Sequence, residues 1–326
     1  MGKSAKRKLP KLKPGEAIRK RWEVVKRLGT GGFGAVYEVW DNEKKVHLAA
    51  KAVNTKAKGS TLKMELRVLE LLKGKKHVCQ VYGSGTENKM SYLVMTLAGP
   101  SLADLLDRCP TKKFTYSTTF PLFLQCIEAI KEVHDVGYIH RDVKPANFAI
   151  GRGSEKRVVL ILDFGISRQY RRPDGRLKPP REVGPFCGTR RYASPNAHAY
   201  HELGPCDDMV SLIYSLAEMA TGKLPWSFDE HTVDIERIKR TVPKEVLLPN
   251  FPEEMFDVYD YIMSLCYPDT VNYEWIMGKV NNVLSRLNIN DDEPYDWEKP
   301  SETLSLSILK WIIPEKIGNN FMFFKR

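Results

Sequence analysis

The stretch HRDVKPAN, from His140 to Asn147, and the tripeptide DFG, from Asp163 to Gly165, decide how the rest of the chain is read. Tyr138 and Ile139 lead into the first string as an apolar approach that would anchor a loop. That loop presents a carboxylate at Asp142, an amine at Lys144 and a carboxamide at Asn147. A carboxylate can take a proton from a hydroxyl, an amine can neutralise anionic oxygen, and carboxylate or carboxamide oxygens suit a hard divalent cation. Upstream lies LGTGGFGAV, from Leu28 to Val36, and then Lys51 inside the apolar run Leu48-Ala49-Ala50-Lys51-Ala52-Val53. Spaced glycines of this kind also mark dinucleotide folds, where they join a strand to a helix. Here Val36, Tyr37, Val39 and Trp40 follow at once, so the glycines sit between two strands. Gly29, Gly31 and Gly34 would let backbone N–H groups close over phosphate oxygens. Taken alone, LGTGGFGAV is also readable as a plain glycine hairpin and Lys51 as a solvated strand-edge lysine.

The chain has 326 residues, enough for a two-lobed domain, with 42% apolar and 28% charged residues. No stretch approaches the ~20 apolar residues of a membrane span, and the start is basic without an apolar signal core. Gly2 is followed by Lys6 where a myristoylation signal wants Ser or Thr. The six cysteines show no CxxC pair, which suits free thiols in a reducing compartment. Of the net charge of +11, residues 1–21 carry +8, with nine Lys or Arg against Glu16 alone. With Pro10, Pro14 and no apolar period, that segment is expected to be a basic disordered tail. Its KRKLPKLK string reads as a solvated run, a nuclear-import signal or an anionic-surface contact.

Apolar alternation predicts a strand–turn–strand over Trp22 to Val39 and short strands over His47–Val53 and Ser91–Thr96. Leu62, Leu66, Val68, Leu69 and Leu72 recur at helical spacing, and Gly74 follows as a stop. Beyond Gly99 the pattern turns helical, at 102–106, 120–134, 209–221 and 259–265. The expectation is an α+β chain with a small, mostly β lobe over 22–95, a hinge at 96–98 and a larger, mostly α lobe over 99–299. Residues 300–326 form an extension in which Leu304, Leu306, Ile308, Leu309, Trp311, Ile312 and Ile313 suggest a segment docked on the large lobe.

These strings, in this order, supply every group that phosphoryl transfer needs, and from about Trp22 to Lys299 the chain resembles a eukaryotic serine/threonine protein kinase. The resemblance implies ATP and Mg²⁺, with Leu28, Gly29, Thr30, Gly31, Gly32, Phe33, Gly34, Ala35 and Val36 over the nucleotide. Val36 and Ala49 would roof the adenine, Ala149 and Leu162 would lie beneath it, and Met95 would stand at the gatekeeper before hinge residues Thr96, Leu97 and Ala98. Lys51 would hold the α- and β-phosphates, itself held by Glu65. Glu70 is the fallback, on a different helix face because five residues rotate about 140°. Asp142 would accept the substrate proton, Lys144 would neutralise the moving phosphoryl group, and Asn147 and Asp163 would hold the metal. Lys144 in DxKxxN points to serine or threonine acceptors, as against tyrosine. Thr189 falls where such kinases place a hydroxyl between the catalytic Asp and Lys, and Asp208 where they bury an aspartate that ties the catalytic loop.

LAGPSLADLL (Leu97 to Leu106) and Ser194-Pro195-Asn196, in place of Ala-Pro-Glu, resemble the casein kinase 1 superfamily. PPREVGPFCG (Pro179 to Gly188), the NAH string and PYDWEK (Pro294 to Lys299) look most like its tau-tubulin kinase branch. Arg191 matches an arginine that helps form an anion pocket in that superfamily, and Arg181 and Arg190 add positive charge. Asp229 and Glu230 stand where relatives carry lysines. The resulting expectation is a monomeric cytoplasmic, or also nuclear, kinase of protein substrates, favouring acidic or primed ones and with cytoskeletal proteins among them. No nucleic-acid partner and no membrane span are expected. A pseudokinase scaffold is the alternative, opposed by the intact Lys51, Asp142, Asn147 and Asp163. A small-molecule phosphotransferase is opposed by Lys144 and the segment from Gly188 to Asn196.

Overall fold

The computed structural model describes residues 11–31, 34–55, 61–227, 235–290 and 292–299. Gly32, Phe33, the first ten residues, Asp229, Glu230 and the 300–326 extension lie outside the described residues. The first lobe is one antiparallel sheet of β1 (Ala17–Ile18), β2 (Trp22–Gly31), β3 (Gly34–Asp41), β4 (Val46–Asn54), β5 (Val81–Glu87) and β6 (Met90–Thr96). Its strand order is β1-β2-β3-β4-β6-β5, with α1 (Thr61–Leu71) as the single helix among its described residues. Strand alternation sorts the side chains. Tyr37, Val39, Leu48, Ala50, Tyr92 and Val94 enter one buried cluster. Leu62, Val68 and Leu69 of α1 pack with Leu93 into the core shared with the second lobe.

The expected disordered tail needs correction over residues 11–21. Ala17 and Ile18 pair with Glu23 and Trp22, and Ile18 is only 1% exposed. Arg21 donates from Nε and Nη2 to Asp41, a carboxylate with no exposed surface. The indole N–H of Trp22 donates to the same carboxylate at 3.1 Å. A two-residue strand inside a basic run carries no periodicity, and its apolar partner lies beyond the turn.

The second lobe is helical, built from α2 (Leu102–Arg108), α3 (Tyr116–Asp135), α4 (Pro195–His198), α5 (Pro205–Thr221), α6 (Ile235–Thr241), α7 (Lys244–Leu247), α8 (Glu253–Ser264) and α9 (Tyr273–Arg286). On α3, Phe120, Phe123, Ile127, Ile130 and His134 are buried at helical spacing. The α5 helix is buried on every side from Pro205 to Met219, and Gly222, at φ +81°, ends it in the left-handed conformation. Between these helices the short hairpin β8 (Phe148–Ile150) with β9 (Val159–Ile161) and the pair β7 (Tyr138–Ile139) with β10 (Arg168–Gln169) lie under the first lobe. The loop from His140 to Asn147 leaves β7, and Asp163 follows β9. Both predicted strings therefore lie at the junction of sheet and helices.

Candidate active site

A cavity of about 490 Å³ opens where the two lobes meet. Leu28, Gly34, Val36, Ala49 and Lys51 line it from the sheet, and Met95, Thr96, Leu97, Ala98 and Gly99 form its back edge. Asp142, Lys144, Asn147 and Asp163 line it from the other lobe. A side chain at Gly34 would collide with the Ala52 carbonyl oxygen, so this close strand approach admits only glycine.

Strand geometry places the expected nucleotide contacts unequally around the cavity. Ala35 points from β3 into the first-lobe core, because its neighbours Gly34 and Val36 take the cavity face. Ala149 is buried on β8 and does not line the cavity, whose floor is formed by Ala146, Ile161 and Leu162. Gly29, Thr30 and Gly31 pair with Val36, Ala35 and Gly34 across the hairpin. Leu69 and Cys79, which sequence reasoning missed, line the cavity beside Glu65.

Lys51 sits on β4, within hydrogen-bonding reach of two carboxylates. Its Nζ lies 2.6 Å from Glu65 and 2.8 Å from Asp163. Burial would pull the Lys51 ammonium down, but the two carboxylates raise it above its ordinary value. For Glu65 the balance differs, since burial pushes its carboxyl up to about 6 against the pull of Lys51. Burial would also raise Asp163, yet Lys51 holds it below the ordinary value. Asp163 adopts the left-handed region at φ +64°, and its Oδ1 accepts from the Gly165 amide. Of the two glutamates considered from sequence, Glu65 is the one that faces Lys51.

The loop from His140 to Asn147 is held from below by Asp208 of α5. Its carboxylate accepts the His140 amide at 2.6 Å and the Arg141 amide at 2.8 Å. His134 of α3 donates to the same carboxylate from Nε2 at 2.8 Å, a partner sequence reasoning missed because it comes from another helix. Burial would raise the Asp208 carboxyl, but the hydrogen bond from His134 and the loop amides hold it below its ordinary value. His140 accepts the Asp142 amide at Nδ1, so its Nε2 carries the proton donated to Leu162 O at 2.9 Å. The loop is thereby tied to the residue that precedes Asp163.

Above this base, four side chains form one cluster. Thr189 donates to Asp142 Oδ1 at 2.8 Å and accepts from Lys144 Nζ at 2.7 Å. Lys144 also donates to Asp142 Oδ2 at 2.8 Å. Asn147 turns its Nδ2 toward Asp142, at 2.7 Å from the carbonyl and 3.1 Å from Oδ2. Gly188 has φ +97° and packs on the Arg141 carbonyl, where a Cβ would lie 2.5 Å from the oxygen. That contact seats the segment carrying Thr189 on the loop. The Ser194-Pro195-Asn196 string is tied down in turn, both Ser194 Oγ and Asn196 Nδ2 donating to buried Asp207.

The three arginines expected to form an anion pocket are partnered unequally. Arg181 and Arg168 both donate to Glu202, each from Nε at 2.6 Å. Arg191 pairs with Glu218 of α5. Glu202 and Glu218 are buried, so Arg181 and Arg191 each carry a counter-charge from within the second lobe. The side chain of Arg190 is exposed.

Nothing in this arrangement is a closed metal cage. Among the described residues no group of three His, Cys, Asp or Glu could hold an ion. The oxygen donors of Asp163 and Asn147 fit a magnesium ion of the kind held by one or two protein oxygens plus phosphate and water. Asp163 is 44% exposed toward the cavity, and the turn of the Asn147 amine to Asp142 leaves the carboxamide oxygen as its remaining group.

The sequence of this chain matches the protein kinase domain over residues 22–270. A relative in Dictyostelium discoideum, described as a serine/threonine-protein kinase, is 35% identical over 87% of this chain and 58% of its own length. A Caenorhabditis elegans relative, also described as a serine/threonine-protein kinase, is 39% identical over 88% of this chain and 84% of the relative. Casein kinase I homolog 1 of Schizosaccharomyces pombe is 33% identical over 85% of this chain and 64% of the relative. The chain thus spans less than two thirds of the slime-mould and fission-yeast relatives. With three quarters of its length matched and its motifs gathered around one cavity, the chain belongs to the protein kinase family and has casein kinase I proteins among its relatives.

Proposed function

We propose that this chain transfers the γ-phosphoryl group of ATP to serine or threonine hydroxyls of proteins. The observation that carries this reading is the bridge from Thr189 to Asp142 and Lys144. It sets a proton acceptor and a cation side by side at the mouth of a cavity that is apolar on one side and charged on the other. Lys51 would hold phosphate oxygens, with Glu65 fixing its ammonium in place. Asp142 would orient the acceptor hydroxyl and take its proton, and Lys144 would meet charge on the transferring oxygens. Asp163 and Asn147 would hold magnesium, which would supply positive charge to neutralise phosphate oxygens.

Substrate choice is read from charge. Arg190 is the exposed arginine next to Thr189, so an acidic or phosphorylated residue near the acceptor is the preference we assign. The resemblance of Pro179–Gly188 and Pro294–Lys299 to the tau-tubulin kinase branch supports cytoskeletal proteins as the substrate class. Incubating the full chain with ATP, Mg²⁺ and matched peptides carrying Ser, Thr or Tyr, each with neutral or acidic flanks, tests the reading. Transfer to the Ser and Thr peptides, faster with acidic flanks, is expected. Transfer confined to Tyr, or no transfer to any peptide, would overturn it.

A further inference from the structure

Lys239 of α6 is only 1% exposed, although a lysine is costly to bury unless its ammonium is fully occupied. Its Nζ donates to the carbonyl oxygens of Arg190 at 2.8 Å and Ala193 at 2.6 Å. The imidazole Nε2 of His198 lies 3.3 Å away. Burial and the charge of Lys239 push His198 down to about 4, so it is a neutral acceptor at physiological pH. Three acceptors match the three N–H bonds of an ammonium group. The rings of Tyr214 and Trp226 flank the ammonium at 5.1 and 5.0 Å.

The carbonyls that Lys239 grips belong to one turn. Tyr192 and Ala193 both donate their amides to Thr189 O at 2.9 Å. The indole N–H of Trp226 donates to Arg191 O at 2.8 Å. The carbonyls of 190, 191 and 193 are thus drawn toward the second-lobe core by two side chains. At the head of the same turn, the Thr189 hydroxyl reaches Asp142 and Lys144. Arg190 is carried on the turn with its side chain exposed.

We propose that Lys239, assisted by Trp226, is the positioning residue that holds the 189–193 turn as the platform on which the acceptor segment of the substrate is seated. The proposal rests on the kinase reading above and adds to it a determinant of protein-substrate affinity that lies beneath the surface. Lys239 touches no reacting atom, so its effect falls on the acceptor and not on the nucleotide. Arginine is not equivalent there, because its planar fork does not fit between two rings and three convergent acceptors.

The test compares the full chain with Lys239→Met and Trp226→Phe. Steady-state kinetics with an acidic Ser peptide are combined with hydrogen exchange across 188–194 and 140–147. Lys239→Met takes the ammonium away from both carbonyls, and we expect the peptide KM to rise about tenfold. Its kcat at saturating peptide should stay within about threefold, and the KM for ATP should be unchanged. Trp226→Phe removes one hydrogen bond and keeps a ring, so a rise of about threefold is expected. Amides of 190–193 should exchange faster in both, with 140–147 unaltered. A lower melting temperature with unchanged peptide KM would overturn the proposal, as would a loss confined to kcat. Should Lys239→Met not fold, an unchanged peptide KM in Trp226→Phe overturns it alone. If the wild-type chain transfers no phosphate, the kinase reading fails separately, and unchanged exchange at 190–193 still overturns the clamp.

Discussion

The Lys51 ammonium lies 2.6 Å from the Glu65 carboxylate, one residue on β4 and the other on α1, so the pair records whether the helix is seated against the sheet. Asp163 completes the group from the second lobe at 2.8 Å. The three side chains join both lobes at the cavity wall.

The first prediction concerns acid. Glu65 titrates at about 6 in the folded chain against an ordinary value of 4.5, with burial as the main cause. The folded state therefore binds this proton more tightly than the unfolded chain. Charging Glu65 costs stability as pH rises from 4.5 to about 6, and nothing further above that. Acidification through about 6 should thus disarm Lys51 without destabilising the fold through this group. A pH–rate profile should show kcat/KM falling below about 6, and Glu65→Gln should be slow throughout and lack that limb. Persistence of the limb in Glu65→Gln would assign it elsewhere.

The second prediction concerns the packing of residues 11–21 on the first lobe. Removing residues 1–21 exposes the surface that Ile18 covers, a loss of about 1.5–3 kcal/mol, and leaves Asp41 buried without Arg21. Thermal melting of a chain starting at Trp22 should show a clear drop. Arg21→Ala alone should give part of it, because Trp22 and the amides of Glu43 and Lys44 still reach Asp41. Identical melting of all three chains would contradict the placement of Ile18 and Arg21.

The third prediction is that Asp208→Ala damages stability and turnover together. Two loop amides and His134 lose a buried acceptor, at about 1–3 kcal/mol for the unpaired groups. Melting temperature and kcat should fall in parallel. A variant that kept full activity would show the loop holds its shape without the tie.

Much of this site was legible because its motifs are local. Asp142, Lys144 and Asn147 lie within six consecutive residues, and the register implied by the kinase resemblance favours Glu65 over Glu70 as the partner of Lys51. Lobe composition was equally legible from where alternation gave way to helical spacing. Less legible were partners set by tertiary packing. Glu202 and Glu218 occupy two of the arginines assigned to an anion pocket, and no short-range pattern links Arg191 to a glutamate on α5. The same holds for His134 beneath Asp208 and for Lys239 beneath the 189–193 turn. A glycine motif does not tell facing residue by residue: strand alternation sends the Ala35 side chain into the first-lobe core.

The fourth prediction addresses the metal. Asp163→Asn removes a carboxylate from the cation site and one counter-charge from Lys51. Weaker nucleotide binding is expected, partly restored as Mg²⁺ is raised. Calorimetric titration of ATP at several Mg²⁺ concentrations checks it. Equal affinity for wild type and variant at all of them would remove Asp163 from the site.

The most direct measurement of the central claim is phosphoryl transfer by the wild type and Asp142→Asn on one Ser peptide, with nucleotide affinity measured in parallel. Asparagine is isosteric with Asp142: its carbonyl oxygen can still accept from Lys144 and Asn147 while its NH₂ donates to a turned Thr189 hydroxyl, so the shape is kept and the proton acceptor is lost. The account predicts transfer lower by about 10²–10⁴ with nucleotide affinity and melting temperature nearly unchanged. Equal transfer by the two proteins would contradict it.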